Sequence, residues 1–268
     1  KRVDMTPVLL VLLAGSATAL RNAPLPSAPP RHHVPHPALP SVLSRVRGGS
    51  TMSAVALADR LCPALGVVLS NALYCAPLPE TLRRVKKGTL GELNPLPTSL
   101  MVIGTTSWLS YSLSARNPWI AATNVPGAIV AIATFVAVLP LIRPGPQLQQ
   151  VQGTIIAGAS ATISLWTYLI FASVSAAARS RALGIYASII CIILFASPLS
   201  TIAKVIRTRN AASILAPLTA AQCLNCLMWS TYGVFAARDV FVWGPNGTGL
   251  LLGLVQLALK LRYPSVDD

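Results

Sequence analysis

From Ala54 onward the chain alternates between apolar windows of about 20 residues, the helical length that crosses roughly 30 Å of hydrocarbon, and short polar or basic segments. Seven such windows, near 60–82, 95–114, 119–142, 153–175, 182–206, 212–235 and 240–262, are read as transmembrane helices. The expected fold class is therefore an all-α membrane protein.

A repeat divides these windows. Pro77, Trp108, Tyr111, Asn124 and Gly127 recur as Pro198, Trp229, Tyr232, Asn246 and Gly249, at an offset of 121 or 122 residues. Stacked arrays repeat every 20 to 50 residues or so, so this spacing points to one duplicated unit instead. The repeat falls on the first three and the last three windows. It predicts seven transmembrane helices as two parallel three-helix repeats, 54–145 and 179–263, joined by a linker helix within 146–178, a 3+1+3 order. An odd linker helix makes both triplets enter the membrane in the same orientation, related by an axis along the membrane normal.

Composition agrees with a bilayer: 53% of the 268 residues are hydrophobic and 10% charged. Lys and Arg number 21 against seven Asp and Glu, a net charge of +14. The cations gather in short segments between apolar runs, which reads as topology signalling, and no soluble basic domain exists to grip nucleic acid. Arg83, Arg84, Lys86, Lys87, Arg143, Lys204, Arg207, Arg209, Lys260 and Arg262 fall on one side, against Arg116, Arg179, Arg181 and Arg238 on the other. That asymmetry favours a cytosolic C-terminus. Membrane lipid is thus an expected partner.

Cys62, Cys75, Cys191, Cys223 and Cys226 lie in or beside apolar stretches and read as buried thiols. The pair Cys223 and Cys226 lacks the second ligand pair that a zinc site needs. No metal site, cofactor or enzyme chemistry is expected.

Residues 1–53 have a different grammar. Lys1 and Arg2 precede an apolar run from Val8 to Ala14 and the small residues Ser16 to Ala19, as in a secretory signal. A Pro-rich, Arg- and His-bearing segment follows, holding His32, His33 and His36, with no acidic residue between Asp4 and Asp59. The leader reads either as a signal peptide with a disordered tail or as a bipartite plastid presequence. The expected address is accordingly the plasma membrane, another endomembrane, or a plastid envelope. Residues 264–268 form a short tail.

The second triplet reads Ala196-Ser197-Pro198-Leu199, a basic loop from Lys204 to Arg209, Asn225, Trp229-x-x-Tyr232-Gly233, Asp239, Pro245-Asn246-Gly247-Thr248-Gly249 and Gly253-x-x-Gln256. The first holds a worn copy, with Ala76-Pro77-Leu78, Leu96-Pro97, Trp108-x-x-Tyr111 and Asn124-x-x-Gly127. In this order and spacing residues 55–263 resemble the SWEET sugar transporters. The resemblance implies a bidirectional uniporter for mono- or disaccharides that works by alternating access, with oligomers common.

It also implies a sugar site at Asn124, Asn246, Trp108 and Trp229. A carboxamide both donates and accepts, as sugar hydroxyls require, and an indole offers a platform for the apolar face. The resemblance further assigns hinge roles to Pro77, Pro97, Pro198 and Pro217, and an outer gate to Tyr111, Tyr232 and Asp239. Pro97 stands 11 residues before Trp108, whereas Pro217 stands 12 before Trp229, so the hinge register differs between halves. Arg116-Asn117 stands where an acidic partner is expected, which predicts a different gate chemistry in the first half. Gln256 reads as a buried polar group on the last helix, for gating or for interhelical bonding.

The rival reading is a proton-coupled PQ-loop-type transporter of amino acids or other small solutes. It would want ionisable groups at membrane depth. Asp59, Glu80, Glu92 and Asp239 all stand near span ends.

Overall fold

A computed structural model describes residues 57–263, and every regular element among them is helical. The expected leader and the tail 264–268 lie outside the described residues. In chain order the helices are α1 (Cys62–Cys75), α2 (Leu78–Lys87), α3 (Leu96–Ala115), α4 (Pro118–Val138), α5 (Pro146–Phe171), α6 (Ala176–Leu194), α7 (Ala196–Thr208), α8 (Ala216–Thr231) and α9 (Val240–Arg262). A π-turn, Leu57–Leu61, leads into α1, and another, Tyr232–Ala236, extends α8.

Five stretches among the described residues are long and apolar enough to cross a membrane: Ala58–Lys87, Pro118–Leu141, Pro146–Phe171, Ala176–Thr208 and Val240–Arg262. The windows at α3 and α8 fall short because both carry polar residues. α8 holds Thr219, Gln222 and Asn225. α3 is long enough but rich in Ser and Thr, and it hides that polarity. Thr105, Ser107 and Ser112 lie buried with their hydroxyls donated to the carbonyls of Met101, Gly104 and Leu109 in the same helix. Enclosure by α4, α5 and α6 lets such a helix sit in a bilayer.

Two predicted windows are each cut in two. Pro77 cannot donate to Leu73, nor Pro198 to Leu194, and each ring would strike the carbonyl four residues back. The backbone breaks at Ala76, whose N–H turns to the Leu73 oxygen, and at Phe195, between α6 and α7. Pro97 and Pro217 are different. Each is the second residue of its helix, α3 or α8, where no intrahelical bond is lost, so neither interrupts a helix. Their unequal spacing from the tryptophans is absorbed at the helix starts. The interior prolines of the third and last spans are Pro126 and Pro245 instead.

Boundaries also move. The helix expected as a linker, α5, starts at Pro146, seven residues earlier than its apolar window, because Gln147, Gln149 and Gln150 are good helix formers that solvent tolerates at a helix end. It buries only Val151 and Leu169 and packs mostly against α3.

The change of offset from 121 to 122 has a structural cause. Asn117 stands six positions after Tyr111, and Asp239 seven positions after Tyr232. The wider π-turn Tyr232–Ala236 takes up the extra residue, with the Ala237 N–H reaching back to the Tyr232 oxygen. Both connections then end alike, on an arginine at positive φ (Arg116, 52°; Arg238, 49°) followed by a helix-capping residue.

Candidate substrate site

Asn117 caps α4 by accepting from the N–H groups of Trp119 and Ile120, and Asp239 caps α9 by accepting from Phe241 N–H. These caps fix how each helix enters the fold. Two turns further on, the wall residues Asn124 and Asn246 stand at equivalent points of α4 and α9. Each amide donates back to a carbonyl one turn earlier, Ile120 in one case and Val242 in the other, both at 2.8 Å. Trp108 and Trp229 are equally matched: each meets the tyrosine one turn on, Tyr111 or Tyr232, edge to face, with ring centres 6.0 and 5.9 Å apart.

All four predicted site residues line one cavity of about 790 Å³. That volume suits a small organic ligand. Pro77, Pro97, Pro198 and Gln256 line it as well, whereas Pro217, Tyr111, Tyr232 and Asp239 do not. No residue of α5 contributes, and neither does Asp59, Glu80, Glu92 or Asp239. From the tryptophans the cavity runs past the first turns of α3 and α8 and towards the C-terminal turns of α9, the end that carries the basic segments.

The other end is shut by bonds between the halves. The Tyr111 hydroxyl donates to Oδ2 of Asp239, and the Asn117 amide donates to the Tyr232 hydroxyl at 2.9 Å. Asn117 therefore fills the place of the missing acidic partner. Buried apolar side chains, among them Val67, Ile120 and Val242, pack round these tyrosines. Gln256 reaches the Pro198 carbonyl across a long 3.4 Å bond, which ties α9 to the break after α6.

Two further cavity residues, Ser70 and Tyr74, escaped the sequence reading, and a third, Asn225, entered it only as part of the second-triplet motif. Tyr74 donates to Asn124 Oδ1 at 3.2 Å. Ser70 donates to Asn225 Oδ1 at 2.8 Å and accepts from the Trp229 indole at 3.1 Å. Ser70 and Tyr74 correspond to Cys191 and Phe195 in the repeat, and Asn225 to Gly104. A search for residues kept in both halves passes over positions where the halves differ. Close packing supplies one legible trace: a Cβ at Gly66 would stand 2.9 Å from the Trp229 ring, and one at Gly127 2.5 Å from the Tyr74 ring.

A multi-pass helical bundle around a central cavity, shut at one end by hydrogen bonds between matched segments, is the build of a membrane carrier. The family model described as sugar efflux transporter for intercellular exchange matches residues 61–141 and again residues 181–267, so the chain belongs to this family, that of the SWEET transporters. The two matches stop short of α5 on either side. Among curated relatives, the bidirectional sugar transporter SWEET7 of Arabidopsis thaliana is 28% identical over 204 residues, covering 74% of this chain and 78% of the relative. The sugar transporter SWEET1 of Rattus norvegicus is 24% identical, covering 81% of this chain and 96% of the relative. A solved structure of a eukaryotic SWEET transporter superposes with a TM-score of 0.71 at 23% identity, covering 79% of this chain and 99% of that one. The chain is a multi-pass integral membrane protein of a transporter family, not of an enzyme family.

Proposed function

We propose that the protein is a bidirectional facilitative sugar carrier, with the substrate held between Asn124 and Asn246 and between the faces of Trp108 and Trp229. The observation that carries this reading is the single cavity, about 790 Å³, on which both pairs converge. Neutral amides match hydroxyls that donate and accept, and indole faces match the C–H surface of a pyranose. With no carboxylate on its wall among the described residues, the cavity lacks the usual carrier of a coupling proton, which disfavours the proton-driven rival.

In this reading residues 54–145 and 179–263 are the two rocking triplets, 3+1+3 with the linker segment 146–178 between them. The state described is closed by Tyr111, Tyr232, Asn117 and Asp239, and open towards the basic, cytosol-facing side. Rocking about Pro77 and Pro198 would exchange the two ends, with Pro97 and Pro217 at the mouth. Lipid surrounds the bundle, and assembly with further copies is compatible with its apolar exterior. The leader 1–53 directs the protein to the plasma membrane, another endomembrane or a plastid envelope, which fusion to a fluorescent reporter decides.

The test is uptake of labelled glucose and sucrose into a transport-deficient cell, with and without an uncoupler. Uptake that survives the uncoupler and collapses in both Asn124→Ala and Asn246→Ala supports the reading. Full transport by both variants removes the site, and abolition by the uncoupler favours proton coupling.

A further inference from the structure

The cations at the open end are partly neutralised in one half of the bundle and left bare in the other. Glu80 of α2 pairs with Arg83 at 2.9 Å and with Arg84 at 2.6 Å, and Arg84 lies over Gly91, where any Cβ would strike its guanidinium. That acid has no repeat mate. An offset of 121 puts Thr201 in its place on α7, and between Glu92 and Asp239 the sequence holds no acidic residue.

A set of cations gathers instead on a fixed base at the corner of α7 and α9. Val205 in the last turn of α7, and Ala211 and Ile214 in the loop after it, are buried, with Leu259 and Tyr263 from the end of α9 packed against them. On this base the Tyr263 ring draws two guanidiniums, Arg209 from the loop and Arg262 from α9, each 5.3 Å from the ring centre. The two charges therefore stand no more than twice that distance apart. Lys204 and Arg207, both exposed, share one face of the same helix end, and among the described residues no carboxylate pairs with any of the four.

Helix dipoles account for only part of this charge. The C-terminal ends of α7 and α9 each present about half a negative charge, against four full positive ones, so a surplus of about three remains. The neighbouring apolar side chains say what kind of anion fits. Ile206 and Leu261 stand beside these cations, 51% and 88% exposed, at the ends of stretches long and apolar enough to cross a membrane. Such side chains belong against acyl chains, and a tyrosine ring belongs at headgroup level. A soluble anion would leave both in water. Guanidinium forks match phosphate oxygens.

We propose that the corner of α7 and α9 is a binding site for an anionic phospholipid, with the phosphate held by Arg209 and Arg262, Lys204 and Arg207 adding attraction, and Ile206 and Leu261 meeting the chains. None of these six residues lines the cavity, so the site stands apart from whatever the carrier moves. Gripped by the loop before α8 and by the end of α9, the lipid clamps the rim of the second half. The first half, where Glu80 already holds two cations, has no such clamp.

The experiment titrates fluorescently labelled phosphatidylglycerol, and phosphatidylcholine with the same chains, into the full chain in neutral detergent. One cation beside an anionic lipid contributes about fivefold. The wild type should bind phosphatidylglycerol at least about tenfold tighter than phosphatidylcholine, and Lys204→Gln/Arg207→Gln should lose at least about fivefold of that preference. Arg209→Gln should lose about as much. The control Arg83→Gln/Lys86→Gln removes the same charge from the first half and should change the preference by less than about twofold.

Equal loss in the two double variants makes the preference a matter of diffuse charge and overturns the site, as does a wild type without preference. Glycerol 3-phosphate, the headgroup chemistry without chains, should not displace the lipid when added in excess; displacement would make the ligand a soluble anion. A preference that emerges only in Asp267→Asn/Asp268→Asn would give the corner to the chain's own acidic residues instead, and the proposal would fall. If Arg209→Gln does not fold, Lys204→Gln/Arg207→Gln decides, because neither of those exposed side chains bonds to another.

Discussion

Tyr111 donates its phenol proton to Oδ2 of Asp239, the residue that also caps α9. One side chain thus sets the start of a helix in the second half and locks the end of a helix from the first. Asn117 does the same in reverse, capping α4 with its oxygen and holding Tyr232 with its amide. A capping residue that also bonds the facing tyrosine ties that contact to the path of the backbone behind it.

Deleting that latch should shift the balance between the two ends. A hydrogen bond to a charged group contributes about 1.5 to 3 kcal/mol, equivalent to roughly a tenfold to hundredfold change in a two-state ratio. Tyr111→Phe should therefore open the latched end more often. Cys62, buried 94% by packing beside these tyrosines (6% exposed), is the reporter: an impermeant maleimide applied from the latched side should label it at least about tenfold faster in the variant. Unchanged labelling would show that apolar packing alone keeps the end shut.

Pro198 makes a prediction about turnover. Restoring the missing N–H with Pro198→Ala should let the helix run unbroken from Ala176 through Thr208, recovering part of the roughly 3 kcal/mol that an interior proline costs. The variant should melt at a higher temperature and transport at least about tenfold more slowly, as about 1.4 kcal/mol on the barrier gives, at an unchanged KM. Faster or equal turnover would remove the hinge.

Gly66 tests the wall. A methyl there would sit 2.9 Å from the indole of Trp229, and that ring is fixed by Ser70. Overpacking of this kind costs about 1–3 kcal/mol. Gly66→Ala should lower the unfolding midpoint, alter the tryptophan fluorescence and raise the KM for sugar, whereas alanine at the open, helical Gly153 should leave fluorescence and KM unchanged and raise the midpoint slightly.

Tyr74→Phe should make the first half resemble the second. The lost bond contributes about 0.5 to 1.5 kcal/mol, so the midpoint should fall by only a few degrees. Asn124 Oδ1 then loses its tyrosine partner while its amide still donates to Ile120, so transport should persist with a changed KM.

The helical class, the window order and the paired Asn and Trp were legible because each leaves a local or periodic mark: apolar length for a span, an offset for a repeat. The effect of the prolines on the helices was legible only in part. Pro77 and Pro198 break their helices, yet Pro97 and Pro217 lie in first turns, and no count of spacing shows where a helix begins. The two windows least apolar by composition, α3 and α8, carry much of the cavity wall, since a helix enclosed by neighbours is released from the need to look like lipid.

Duplication, membrane insertion and four of the wall residues, Trp108, Asn124, Trp229 and Asn246, were legible in the chain alone, since hydropathy and recurrence depend on the order of residues and not on contacts. Only the tertiary structure decided which amide is braced and which is open, because Ser70 meets Asn225 and Trp229 across more than half the sequence, and Tyr74 meets Asn124 between helices. Hydrogen-bond polarity is a property of neighbours in space, and linear order does not carry it.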